Sequence, residues 1–273
     1  MGRGHHIPQM PDKQRTKELE REEGARATVP EGTRVYAIGD IHGRLDLLQS
    51  LLQGIISDSR EAPVARNLLI FLGDYVDRGP DSKGTIDFLI NKLPGGFEPV
   101  FLKGNHEDLM LDFLAARGME AREHSGEGWL MNGGDTTLES YDVSVPDHAM
   151  GVVPDEDLLT AARELKEQVP ETHLSFLKNL KYYHVEGDFL FVHAGLRPGV
   201  SLARQSEADM MWIRDVFLSH TGFFDGHIVV HGHSIKPTPD VQATRIGIDT
   251  GAWYSNRLTA LALEGDEYWF LYT

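Results

Sequence analysis

The stretch Leu68-Leu69-Ile70-Phe71-Leu72-Gly73-Asp74-Tyr75-Val76-Asp77-Arg78-Gly79 decides how the rest of the chain is read. Five consecutive apolar residues followed by Gly-Asp predict a strand that ends at Asp74. The pattern recurs on both sides. Upstream, Val35, Ala37 and Ile38 predict a short buried strand ending at Asp40, and Leu45, Leu48, Leu51, Leu52, Ile55 and Ile56 then repeat at helical spacing. Downstream, residues 85–93 predict a helix stopped by Pro94. Residues 100–102 predict a strand leading to Asn105, and 109–116 a helix stopped by Gly118. Three strand–turn–helix units imply an α/β fold with a parallel-type sheet and covering helices. Ligands of such sheets bind beyond the carboxyl ends of the strands, where Asp40, Asp74 and Asn105 all fall.

The second half reads differently. Residues 118–170 are Gly-rich and then acidic, with helices expected at 155–168 and 171–180. Residues 182–185 and 189–192 predict paired strands around a Gly187-Asp188 turn, with His193 directly after the second. Residues 206–219 read as one helix, and 228–230 as a strand running into His231. Strands are expected at 245–248, 257–263 and 268–272, the last two joined at Glu264-Gly265-Asp266.

Five short motifs thread these elements: Gly39-Asp40-Ile41-His42-Gly43, Gly73-Asp74-Tyr75-Val76-Asp77-Arg78-Gly79, Gly104-Asn105-His106-Glu107, His193-Ala194-Gly195 and His231-Gly232-His233. Carboxylate, amide oxygen and imidazole together suit divalent first-row metals such as Mn, Fe and Zn. The set is too large for one structural zinc, and the chain has no cysteine to build one. A two-metal hydrolytic site is the economical reading. In an extended turn Asp40 and His42 project to one side and could grip one ion. Neither GxGxxG after the first strand nor GxxxxGK[ST] occurs, so nucleotide binding through those loops is not supported.

In this order the motifs resemble those of the metal-dependent serine/threonine phosphatases of the PPP family, within the calcineurin-like metallophosphoesterases, and most of all their bacterial and phage lambda phosphatase-like branch. The resemblance runs from residue 39 to residue 233, is absent from 1–33 and is thin across about 115–170. It implies two mixed β-sheets packed face to face as a sandwich and flanked by helices. It implies that Asp74 bridges two divalent ions, that Asp40 and His42 complete one site, and that Asn105, His193 and His231 complete the other. Manganese is the first expectation for the pair, with iron or zinc compatible. It further implies in-line attack on phosphorus by a metal-bridging hydroxide, with His106 as general acid oriented by Asp77. Arg78, and Arg214 in its Trp212-Ile213-Arg214 context, would bind phosphoryl oxygens, although a helix-surface arginine is the plainer reading of Arg214. Asp249 and His233 look like partners that orient ligating imidazoles. Trp253 and Tyr254 either line the pocket or pack in the core.

At 273 residues the chain suffices for one full core. Residues 1–33 mix Gly, Pro, His and charge without an apolar period and are expected to be a flexible N-terminal tail, with at most a short polar helix at 12–23. Residues 34–273 are expected to form the catalytic domain, with an acidic insertion at about 115–170. A formal charge of −16 argues against nucleic-acid binding. From Glu107 to Glu164 there are 14 acidic and 3 basic residues, either a solvated face or a rim that favours basic phosphosites. No apolar run approaches the roughly 20 residues of a membrane span. With no signal core and no cysteine, a cytoplasmic location is expected. The expected partner is a phosphorylated protein or peptide carrying phosphoserine or phosphothreonine. The alternatives are a symmetrical dinucleoside polyphosphate hydrolase or a catalytically dead phosphoprotein-binding module. The presence of Asp77 speaks against the first, and the complete ligand set against the second.

Overall fold

A computed structural model describes residues 15, 16, 19–22, 24–115, 126–146 and 153–273. The first three predicted units are present as β1 (Thr33–Ile38), α1 (Leu45–Glu61), β2 (Arg66–Phe71), α2 (Ser82–Asn91), β3 (Glu98–Phe101) and α3 (Asn105–Ala115). The strands β1, β2 and β3 are parallel neighbours. Short helices α4 (Asp135–Ser140), α5 (Asp155–Gln168) and α6 (Glu171–Lys178) follow, then the hairpin β4 (Tyr183–Glu186) and β5 (Phe189–Val192). The chain continues through α7 (Glu207–Trp212), α8 (Asp215–Leu218), β6 (Ile228–His231), β7 (Asp240–Val241), β8 (Arg245–Gly247) and α9 (Ala252–Ser255), and closes with β9 (Thr259–Glu264) and β10 (Glu267–Tyr272).

Two five-stranded sheets result, ordered β10-β9-β1-β2-β3 and β4-β5-β6-β8-β7. Both mix parallel and antiparallel pairs, as expected. Because successive strand residues face opposite sides, each strand feeds two cores. Val35, Ala37, Leu68, Ile70, Phe189, Phe191, Ile228, Val230, Ile246 and Leu261 fill the space between the sheets. Tyr36, Ile38, Leu69 and Phe71 face outward and are covered by Leu48, Leu51, Leu52 and Ile55 of α1 together with side chains of α2 and α3. Leu190, Val192 and Val229 face the other way and pack on Met210, Ile213 and Phe217.

Three expectations are revised. The stretch read as a flexible tail is packed where it is described: Thr16 pairs with Tyr268, and Leu19, Ala27 and Val29 are buried against the inter-sheet core. Residues 1–14, with His5 and His6, lie outside the described residues, as does the start of the helix expected at 12–23; Thr16 and Glu20 sit in bridges instead. The helix expected at 206–219 is broken, since Ile213 is extended (φ −61°, ψ 141°) and Arg214 is non-helical (φ −131°, ψ −98°). Part of the acidic insertion, residues 126–146, folds against the second motif, where Trp129, Gly133 and Thr137 meet Asp77 and Arg78; residues 153–170 carry α5, and segments 116–125 and 147–152 lie outside the described residues. Among the described residues no helix is long and apolar enough to cross a membrane.

Candidate active site

All five motifs meet at one end of the sandwich because every one follows the carboxyl end of a strand. Asp40 and His42 follow β1, Asp74, Asp77 and Arg78 follow β2, and Asn105 and His106 open α3 just after β3. His193 follows β5, and His233 lies two residues beyond β6. The turns are tight. His42, Asp74, Asp77, Arg78 and His233 all have positive φ, from 48° to 71°. That conformation costs about 1–2 kcal/mol for each non-glycine residue, so the surrounding contacts must impose it.

Glu107 supplies much of that constraint. Its carboxylate accepts the main-chain N–H groups of Asp74 (2.9 Å), Tyr75 (2.7 Å) and Gly104 (2.9 Å), clamping the second motif onto the third. Burial and the neighbouring Asp74 push its carboxyl up to about 7, against the pull of the Tyr75 and Gly104 donors. Gly73 allows the close approach: with φ 104°, a Cβ there would lie 2.5 Å from the Gly104 nitrogen.

The side chains gather around Asp74. His42 Nε2 lies 3.5 Å and His106 Nε2 3.8 Å from Asp74 Oδ2, while His193 Nε2 lies 3.4 Å from Oδ1. Two groups therefore present donor atoms within 4.8 Å of one another: His42, Asp74 and His106, and Asp74, His193 and His233. His42 Nδ1 lies 2.9 Å from the Val76 carbonyl and His193 Nδ1 2.9 Å from that of Leu72. Each Nδ1–H is thereby committed, and each Nε2 lone pair faces inward. Asn105 Oδ1 lies 3.0 Å from that His193 Nε2. Two lone pairs at this distance fit a shared cation. Burial, Asp249 and Asp74 together push the Asp40 carboxyl well up. Burial lowers His42 to about 3 and His233 to about 2, which keeps both imidazoles neutral, as ligands must be. His233 Nε2 is buried with no hydrogen-bond partner. These are groups suited to a dinuclear metal site.

The predicted ligand Asp40 lies outside both groups but beside them, its carboxylate accepting from His233 N at 3.0 Å. One further predicted ligand is displaced. His231 belongs to neither group. It ends β6 on the same face as Val229, and its ring lies 5.1 Å from that of Phe217 in the outer cluster. Its Nε2 is also buried without a partner, but it is not among the atoms gathered within 4.8 Å of one another around Asp74. Strand alternation decides this: Ile228 and Val230 face the inter-sheet core, so position 231 faces out. His233, past the strand and at φ 61°, turns back to the cluster. Asp249 is likewise revised. Its carboxylate accepts from Gly251 N (2.9 Å) and meets Asp40 rather than an imidazole.

His106 Nδ1 lies 2.7 Å from Asp77 Oδ2, both side chains being buried. Burial would lower the His106 pKa, but Asp74 and the bonded Asp77 outweigh it and hold it above the ordinary imidazole value. Asp77 is held in turn by residues that sequence reasoning did not single out. Trp129 Nε1 donates to Oδ2 (2.9 Å) and Thr137 Oγ1 to Oδ1 (2.6 Å). Both come from the insertion, which carries no periodic signal linking it to the second motif. Arg78 Nη1 lies 3.1 Å from His42 Nε2, and its guanidinium sits 5.6 Å from the exposed Trp253 ring. Arg214 is exposed at the helix break and donates to the His233 carbonyl (3.0 Å). Trp253, beside Arg78, and Tyr254 are both exposed, so the core-packing alternative for them falls.

Residues 33–244 match the family model described as calcineurin-like phosphoesterase, and the chain belongs to that family. Among its relatives, a serine/threonine-protein phosphatase 2 of Escherichia coli (strain K12) is 30% identical, over 82% of this chain and 90% of the relative. A bis(5'-nucleosyl)-tetraphosphatase PrpE [asymmetrical] of Bacillus thuringiensis (strain Al Hakam) is 28% identical, over 82% of this chain and 88% of the relative. A crystal structure described provisionally as a diadenosine tetraphosphatase superimposes with a TM-score of 0.56 at 22% identity, covering 90% of this chain and 98% of the other, which speaks for the fold alone. The protein is thus a metallophosphoesterase, a hydrolase of phosphoesters.

Proposed function

We propose that this enzyme hydrolyses phosphomonoesters of poor leaving groups, foremost phosphoserine and phosphothreonine in proteins. Asp40, His42 and Asp74 would hold one divalent ion, and Asp74, Asn105, His193 and His233 the other, manganese being the first candidate. When bound, such a pair supplies Lewis-acid polarisation of the phosphoryl oxygens and acidifies water. Arg78 and Arg214 bind phosphoryl oxygens at the mouth. His106 gives its Nε2 proton to the departing alkoxide as the P–O bond breaks, while Asp77 holds Nδ1–H.

The observation that carries this reading is the His106–Asp77 pair at 2.7 Å. A serine alkoxide leaves poorly without a proton, so a built proton donor matters for such esters. A nucleotide leaving a dinucleoside polyphosphate departs as a phosphate anion and needs no such donor. The relatives named bis(5'-nucleosyl)-tetraphosphatase supply the second reading, dinucleoside tetraphosphate hydrolysis. Side-by-side kcat/KM values for phosphoserine peptides and diadenosine tetraphosphate, with Mn present, separate the two. A higher value for the peptides supports the proposal, and a preference for the dinucleotide overturns it.

A further inference from the structure

We propose that Trp129 is a positioning residue for proton delivery, through which the 126–146 segment sets the geometry of the Asp77–His106 pair; this rests on the role given to His106 above. Trp129 is fully buried, and its indole N–H donates to Asp77 Oδ2 at 2.9 Å. This is the same oxygen that meets His106 Nδ1 at 2.7 Å. Two donors converging on one oxygen fix the rotation of the carboxylate, and the Thr137 hydroxyl fixes its other oxygen. Among the described residues no Arg or Lys bonds Asp77, so the Trp129 and Thr137 donors help keep the carboxylate aimed at the imidazole.

The local backbone is built around this contact. Trp129 packs on Phe113 of α3 at 4.8 Å between centroids with the rings tilted by 40°, which ties it to the helix that carries His106. The next turn, Leu130–Gly134, is a π-type turn interrupted at Gly133. Gly133 has φ 96°, its carbonyl accepts from Arg78 N at 3.0 Å, and a Cβ there would lie 2.7 Å from Arg78 Cγ. A Cβ on Gly134 would lie 2.5 Å from the Trp129 ring. Asn132-Gly133-Gly134 thus lets the chain close over Arg78 and the indole together. A tryptophan needed only for bulk would not require its N–H aimed at a buried carboxylate already paired with a histidine.

The test uses the full chain with Mn and compares Trp129→Phe with wild type on a phosphoserine peptide and on p-nitrophenyl phosphate. Phenylalanine keeps the aromatic packing and deletes the donor. We expect kcat/KM for the peptide to fall about tenfold or more and that for the aryl ester less than about threefold, since only the alkoxide needs the proton. Metal content should stay at the wild-type level. In a His106→Asn background the same substitution should add nothing. Gly134→Ala, which crowds the indole without removing it, should show the same asymmetry if Trp129→Phe does not fold. Equal losses on both esters, or none on either, while His106→Asn keeps its own asymmetry, overturn the positioning role and leave the proposed function standing. If His106→Asn shows no asymmetry, the proposed function fails, and this inference with it.

Discussion

The main-chain N–H of His233 donates to the Asp40 carboxylate, 3.0 Å to Oδ2 and 3.3 Å to Oδ1. This bond ties the loop after β6 in one sheet to the loop after β1 in the other, across 193 residues of sequence. It sets His233 in the left-handed region and turns its ring toward Asp74 and His193. His233→Ala should therefore lose one metal equivalent by elemental analysis. Its kcat/KM should fall by about 100-fold or more, beyond what loss of an outer hydrogen-bond partner gives. His231→Ala should keep both metals and lose packing against Phe217. Metal loss in His231→Ala with retention in His233→Ala would reverse the assignment.

Glu107 acts without facing substrate. Replacing it by Gln puts an amide N–H₂ where one carboxylate oxygen now accepts main-chain N–H groups of Asp74, Tyr75 or Gly104. Each buried donor left unpaired costs about 1–3 kcal/mol. Glu107→Gln should lower Tm and also weaken metal retention, because Asp74 loses its fixed backbone. Thermal melting with and without added Mn reads both effects; an unchanged Tm contradicts the clamp.

What was legible in the sequence follows strand order and periodicity. The runs before Asp40, Asp74 and Asn105 announce their strands, and each motif falls at a carboxyl end. Strand parity separates His231 from the cluster: Val229 and His231 share parity, and Val229 packs in the outer cluster. His193 has the opposite parity, that of Phe189 and Phe191, which face the inter-sheet core. The break at Ile213-Arg214 had no Gly or Pro to mark it. Leu19, Ala27 and Val29 are isolated apolar residues in a polar stretch, and only the finished sheet shows what they cover. Trp129 and Thr137 reach Asp77 from 52 and 60 residues away, a pairing no local pattern encodes.

Far from the chemistry, Arg34 on β1 is fully buried. It bonds Glu264 through Nε (3.0 Å) and Nη2 (2.7 Å), and the Ala62 carbonyl through Nη2 (2.6 Å). Asp58, also buried, accepts from Tyr36 Oη (2.5 Å) and Trp269 Nε1 (3.1 Å). Removing one partner of such a network costs about 3–5 kcal/mol. Arg34→Ala should lower Tm on the order of 10 °C for a chain of this size. At temperatures where the variant is folded, kcat should match wild type. A Tm within about 2 °C of wild type contradicts the network's weight.

The most direct test of the central claim is the leaving-group dependence of His106→Asn. Its kcat/KM on a phosphoserine peptide and on p-nitrophenyl phosphate should be measured against wild type, with metal content determined on the same samples. A general acid contributes about 10²–10⁴-fold. The account predicts a loss in that range on the peptide, a much smaller loss on the aryl ester, and two metals retained. Equal losses on both esters with metal retained would contradict it, since His106 would then bind charge without donating a proton.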